Sequence, residues 1–97
     1  MQFEWDAQKR RDNLHKHGFD FDDAWRIFEM PMLTILDDRQ EYGEERWIGI
    51  GLLNTRVVYV VYTEQAEDVI RIISLRKALI HERIAYTEFI RDRLGPH

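Results

Sequence analysis

The chain has no cysteine, which excludes disulfides, thiol catalysis and the Cys-rich kinds of structural zinc site. Nor does it have an apolar run approaching the roughly 20 residues of a bilayer-crossing helix. Its first residues, M-Q-F-E-W-D, offer neither the basic n-region nor the apolar h-region of a secretion signal. The expectation is a cytoplasmic protein with no membrane contact. Motifs for metals and nucleotides are missing as well. His15 and His17 are two apart and point away from each other on a helix, there is no H-E-x-x-H, and no G-x-G-x-x-G or P-loop follows a strand. No metal and no cofactor are therefore expected. Repeats, low-complexity segments and linkers are absent, and 97 residues suffice for one core, so residues 1–97 read as a single domain.

Basic charge is scarce until late in the chain. The net charge is −4, and residues 1–38 and 39–68 carry −4 and −3, whereas residues 69–97 carry +3. An acidic body argues against large-area binding to duplex DNA and leaves room for a local basic site.

Local signals set out the elements. Asp6 is placed to cap a helix that ends at His17 and Gly18, with Lys16 and His17 favourable to its dipole. Asp20 caps a second helix, in which Phe21, Ala24, Trp25 and Phe28 form an apolar stripe at helical spacing, and Pro31 stops it. The acidic clusters Asp20/Asp22/Asp23 and Asp37/Asp38 read as a helix start and a turn. Strands are expected over Met32–Leu36, Arg46–Leu53, Arg56–Glu64 and Val69–Arg76. Gly49 and Gly51, on one face with Trp47, suggest close approach by another element or a bulge. From about Lys77 the pattern turns helical, with Leu79, Ile80, Ile84, Tyr86, Ile90 and Leu94 on one face and Gly95-Pro96 at its end. The expected fold class is α+β: two N-terminal helices, a four-stranded antiparallel meander and a C-terminal helix. Arg83 interrupts the apolar face of that last helix and marks a candidate partner contact.

Val69–Ala78, V-I-R-I-I-S-L-R-K-A, holds the candidate chemistry. As a strand it shows Arg71 on one row and Arg76 on the other. Two readings stand side by side. Each arginine can pair with a carboxylate and hold the sheet, or Arg71, Arg76 and Lys77, with Ser74 among them, can converge on a phosphate.

F-E-W-D with Lys9 and Asn13, then K-H-G-F-D-F, Y-G-E-E-R-W-I-G-I-G-L-L, V-V-Y-V-V-Y-T-E and R-I-I-S-L-R-K-A with Glu82 and Tyr86, resembles the BrnT family of bacterial toxins from Phe3 to about Tyr86. Ala7 departs from a proline common in the family, and Gln40 from a histidine that some members carry. The resemblance implies a RelE-like fold and a ribonuclease that stops translation. It also implies neutralisation by a BrnA-type antitoxin, similar to ribbon-helix-helix DNA-binding proteins, whose complex represses its own operon. DNA is then met only through the antitoxin.

Metal-independent RNA cleavage uses the 2′-OH as nucleophile and needs a base, an acid and cations, with acid–base help worth roughly 10²–10⁴-fold. On that reading Arg71, Arg76 and Lys77 face the phosphate, Arg46 joins them from a nearby strand, and Glu64 or Glu82 is a base or an ion-pair partner. Lys9, Lys16, Arg56, Ser74 and Tyr86 complete the RNA contacts. The alternative is a non-enzymatic interaction module. A basic groove joining Arg46, Arg71 and Arg76 supports the enzyme, and arginines each held by one carboxylate support the module.

Overall fold

The computed structural model describes residues 1–95. In chain order they form β1 (Gln2–Glu4), α1 (Ala7–His17), a 3₁₀ helix (Phe21–Glu29), β2 (Leu33–Asp37), β3 (Arg46–Leu53), β4 (Arg56–Ala66), β5 (Val69–Lys77) and α2 (Ile80–Leu94). The expected end of the last helix falls partly outside this range, at Pro96. Among the described residues no helix is long and apolar enough to cross a membrane.

The expected four-stranded antiparallel meander is overturned. The sheet has five strands in the order β1-β5-β4-β3-β2 and is mixed. β2 to β5 pair antiparallel as successive neighbours, while β1 pairs parallel with β5 through Gln2–Val69, Phe3–Ile70 and Glu4–Arg71. Three residues are too few to show a period of two, and the partner strand lies at the far end of the sequence. The sequence reads Phe3–Trp5 as a short extended segment, and it is β5 that makes a sheet strand of Gln2–Glu4.

Asp6 caps α1 as expected, accepting from the Lys9 amide at 2.9 Å, and Gly18 closes it in the left-handed region with φ 77°. Beyond β1 the outer edge of β5 is covered by α1. The Asn13 side chain donates to the carbonyls of Leu75 (2.8 Å) and Phe19 (3.0 Å) and accepts from the Leu75 amide (3.1 Å). One buried carboxamide thus does what a further strand would do for this edge. Asn13→Leu leaves the buried Leu75 N–H and C=O unpaired, and a loss of about 3 kcal/mol is expected in denaturant unfolding. A loss within the noise of a surface substitution would show that water replaces the amide.

The second expected helix is not α-helical. Phe21–Glu29 is a nine-residue 3₁₀ helix, capped by Asp20 through the Asp22 amide at 3.0 Å. With about three residues per turn instead of about 3.6, the rows re-sort. Phe21, Ala24 and Ile27 are all fully buried, whereas Trp25, expected in the core stripe, is 46% exposed. Ile27 and Met32 press on β3 at its glycines. A Cβ at Gly49 would lie 2.5 Å from Met32 Sδ, and one at Gly51 would lie 2.9 Å from Ile27 Cγ2. Close approach, not a bulge in β3, explains these two glycines.

The bulge falls in β5. Pairing steps from Val61–Ser74 to Tyr62–Ile72, so Ile73 is an extra residue and the alternation slips by one. Arg71 faces with Thr63, Ser74 with Val61 and Arg76 with Tyr59, which puts both arginines on the same face instead of on opposite rows. That face carries α2. Tyr86, Phe89 and Ile90 pack on Ile48, Ile50, Tyr59 and Val61, while the 3₁₀ helix covers the other face over Val58, Val60, Tyr62, Ile72 and Leu75. α2 starts at Ile80, three residues later than expected, because β5 runs through Lys77. Its apolar residues do not share one face, since Leu79, Ile80, Ile84 and Leu94 are all more than half exposed.

Candidate functional site

The site is built where α1 crosses β5. Spacings of three and four residues put Lys9, Asp12, Asn13, Lys16 and His17 along the side of α1 that faces β5. The bulge turns Ile73 and Ser74 towards them. Together these seven residues line a groove of about 290 Å³. Lys9 and Lys16 form no ion pair among the described residues. His17 is exposed overall, yet desolvation at the groove, followed by the charges of Lys16 and Arg76, lowers its pKa below the ordinary imidazole range. A neutral imidazole beside two unpaired ammonium groups can accept a proton at neutral pH.

Arg76 borders this groove but is committed elsewhere. Its guanidinium donates to both carboxylate oxygens of Glu82 at 2.8 and 2.9 Å and lies 3.7 Å from the centroid of the Tyr59 ring. Glu82 also accepts from the Leu79 amide at 2.8 Å, so it caps α2 while holding Arg76. The Arg76 guanidinium and then the Leu79 amide keep the buried Glu82 carboxyl below its ordinary range, against the opposing effect of burial.

The other expected site residues are scattered. Arg71 sits near the start of β5 and pairs with Glu4 at 2.7 Å, both side chains about a third or more exposed. Lys77 is exposed at the end of β5. Arg46 lies over Tyr42, 4.0 Å from the ring centroid, with its nearest carboxylate, Glu44, at 3.6 Å and a buried Nε that has no hydrogen-bond partner. Glu64 lies in a separate groove with Glu44 and Glu45. Arg56 is exposed, 5.8 Å from the Phe19 centroid. The Tyr86 hydroxyl is occupied, donating to the Pro31 carbonyl at 2.9 Å. Arg83 is exposed and lines a shallow groove with Val57, Ile80, Ile84 and Arg91. Of the expected set, then, Lys9, Lys16 and Ser74 share one groove, with Arg76 at its rim.

The turn after β2 holds a second ionic cluster. Asp37, its side chain wholly buried, accepts from Arg39 Nε (2.7 Å), Arg39 Nη2 (2.8 Å) and the Tyr42 hydroxyl (3.1 Å). The Arg39 bonds are the main cause of a pKa lowered to about 2. A lowered carboxylate stabilises fully above its unfolded value and loses that contribution as pH falls through the folded value. Stability is therefore expected to hold steady near neutrality and to decline between about pH 4 and pH 2, as pH falls through the folded value of Asp37 and its carboxylate protonates. Asp37→Asn should flatten that decline in acid titrations followed by circular dichroism.

A family model described as the ribonuclease toxin BrnT of type II toxin-antitoxin systems matches residues 5–82, a span that includes the whole groove and the Arg76–Glu82 pair. The chain belongs to the BrnT family. As in any type II system, an antitoxin is the partner that membership implies. The crystal structure of the Brucella abortus ribonuclease toxin BrnT is similar in fold, with a TM-score of 0.67 and 27% identity over 81% of this chain and 97% of that chain. Curated proteins yield no match. Within this BrnT fold, among the described residues, no three His, Asp or Glu side chains gather in a way that could hold a metal ion. The residue sequence reasoning passed over is His17. The sequence reads it as a helix-dipole partner and excludes it as a metal ligand, although K-H-G at a helix end places an imidazole beside a lysine.

Proposed function

We propose that this chain is a metal-independent endoribonuclease that inhibits translation, and that its RNA site is the α1–β5 groove. The observation that carries the reading is the pair of unpaired lysines, Lys9 and Lys16, sharing one groove with an imidazole of lowered pKa in a chain of net charge −4. The lysines hold a phosphodiester, Ser74 contributes a hydroxyl, and His17 takes the proton of the 2′-OH as it attacks phosphorus; the P–O5′ bond breaks, leaving a 2′,3′-cyclic phosphate, and the departing 5′-oxygen takes a proton from water. Arg76, at the rim, adds positive potential to the pentacoordinate state while remaining paired. Lys77 and Arg71 extend the cationic track along β5 for flanking phosphates.

The test is incubation of the purified chain with structured and unstructured RNA in the presence of EDTA. Cleavage leaving 2′,3′-cyclic phosphate ends is expected to persist. Activity abolished by EDTA and restored by a divalent cation would overturn metal independence. A specific observation favours the second reading, a non-enzymatic module acting through its antitoxin: Arg71 and Arg76 are each held by one carboxylate. A folded chain that binds antitoxin and cleaves no RNA would establish it.

The antitoxin is proposed to be of the BrnA ribbon-helix-helix type and to contact Arg83 between the exposed Ile80 and Ile84. Three successive outward positions of this kind on α2 offer an apolar strip with a charged register mark. Arg83→Glu is expected to raise the dissociation constant about tenfold or more by calorimetry, with the fold unchanged.

A further inference from the structure

The 3₁₀ helix does more than fill a layer. Runs of this helix longer than three or four residues are uncommon, because its hydrogen bonds are poorer than those of an α-helix. Here nine residues adopt it, and the eclipsed spacing of three has a consequence on each side. One row, Phe21, Ala24 and Ile27, is buried in the core. The next row, Asp22, Trp25 and Phe28, opens onto a cavity of about 570 Å³, within the size range of roughly 300–1,000 Å³ usual for small-molecule sites. An α-helix over the same residues would have drawn Trp25 towards the core stripe.

Two other segments complete the walls. Phe3 comes from β1 and tilts against Phe28 with centroids 5.2 Å apart, and Trp5 meets Phe21 edge-on at 6.5 Å. Five aromatic rings thus line one cavity, and its polar components are the carboxylates of Asp22 and Glu29. Neither carboxylate is in an ion pair among the described residues. The Met1 ammonium, also at the cavity wall, is directed to Asp68 at 2.9 Å and is not available to neutralise them. Trp25 already attracts one cation from outside, with the Arg26 guanidinium 5.5 Å from its centroid.

Aromatic faces attract cations through the ring quadrupole, most strongly for indole, and carboxylates at the mouth add a Coulombic bias. The same carboxylates repel phosphate, so the cavity does not suit RNA. We propose that this cavity is a binding site for a small organic monocation of the alkylammonium or guanidinium class, separate from the groove on α1.

The test uses the full chain and the indole N–H resonances of its three tryptophans, with Trp47, outside the cavity, as internal control. Choline is titrated against 3,3-dimethylbutan-1-ol, its neutral isostere, and N-acetyl-argininamide distinguishes a free quaternary ammonium from an arginine side chain as the source of the cation. Choline or the guanidinium probe is expected to move the Trp5 and Trp25 resonances in a saturable way at millimolar concentration, leaving Trp47 still. The isostere should bind about tenfold more weakly or worse. Trp25→Ala and the double change Asp22→Asn with Glu29→Gln, all at exposed positions, should each weaken binding several-fold without altering the melting temperature. Equal binding of the isostere would overturn the proposal, as would Trp5 and Trp25 resonances that stay still at tens of millimolar of both cations.

Discussion

Arg76→Ala is expected to lower the unfolding free energy by about 3 kcal/mol at pH 7, a large share of the stability of a domain this size. The cause is what the substitution leaves behind. The Glu82 side chain is only 9% exposed and loses both of its guanidinium hydrogen bonds, while Tyr59 loses the planar cation stacked on it. The lower end of the range for broken buried pairs applies because Arg76 itself is 26% exposed. Arg76→Lys keeps the charge but loses the fork and the stacking, so an intermediate loss is expected. Acid provides a second readout. In the native chain the lowered pKa of Glu82 means that its stabilisation is present above the ordinary carboxylate range and is lost as pH falls through the folded value. The gap between the native chain and Arg76→Ala should therefore be widest near neutrality and close in acid. Arg71→Ala, which breaks only a half-exposed pair with Glu4, should cost less than about 1 kcal/mol. Unchanged melting of Arg76→Ala together with abolished RNA cleavage would assign Arg76 to the phosphate instead.

His17→Gln is expected to reduce RNA cleavage by about 100-fold or more while leaving thermal unfolding within the range of ordinary surface changes. His17, Lys9 and Lys16 are exposed and carry no core packing, so a loss of activity on replacing them is separable from a loss of fold. The pH profile separates a base from a mere contact. Lys16 lowers the pKa of His17, so Lys16→Gln should raise it and move the acid limb of the rate profile to higher pH. If His17 only binds phosphate, Lys16→Gln lowers the rate without moving that limb. Replacing Lys9 and Lys16 together should weaken RNA binding and its salt dependence in parallel, because each lysine releases counterions when it meets a phosphate.

The sequence by itself determined what is encoded within a few residues of chain. Asp6 and Asp20 as caps, Gly18 as a left-handed stop, and the strands expected at 46–53, 56–64 and 69–76 follow from local hydrogen bonding and periodicity; the first strand has the expected bounds, and the other two run on to Ala66 and Lys77. Family membership was legible for the same reason, since an ordered set of short motifs needs no tertiary contact to be read. Three features were decided by tertiary partners. β1 is a strand through the edge that β5 offers, Phe21–Glu29 is 3₁₀ where a stripe at α-helical spacing was expected, and the bulge at Ile73 exists only as a mismatch between β4 and β5. The candidate site depended on that last feature. Strict alternation separates Arg71 from Arg76 and says nothing of α1, whereas one extra residue in β5 puts the two arginines on one face and turns Ser74 towards Lys9, Lys16 and His17. Which cations are free and which are held was decided by carboxylates far away in sequence, as with Glu4 for Arg71, or brought in by a helix start, as with Glu82 for Arg76. Charge is written in the sequence, but its pairing is a distance, and only the folded chain sets distances.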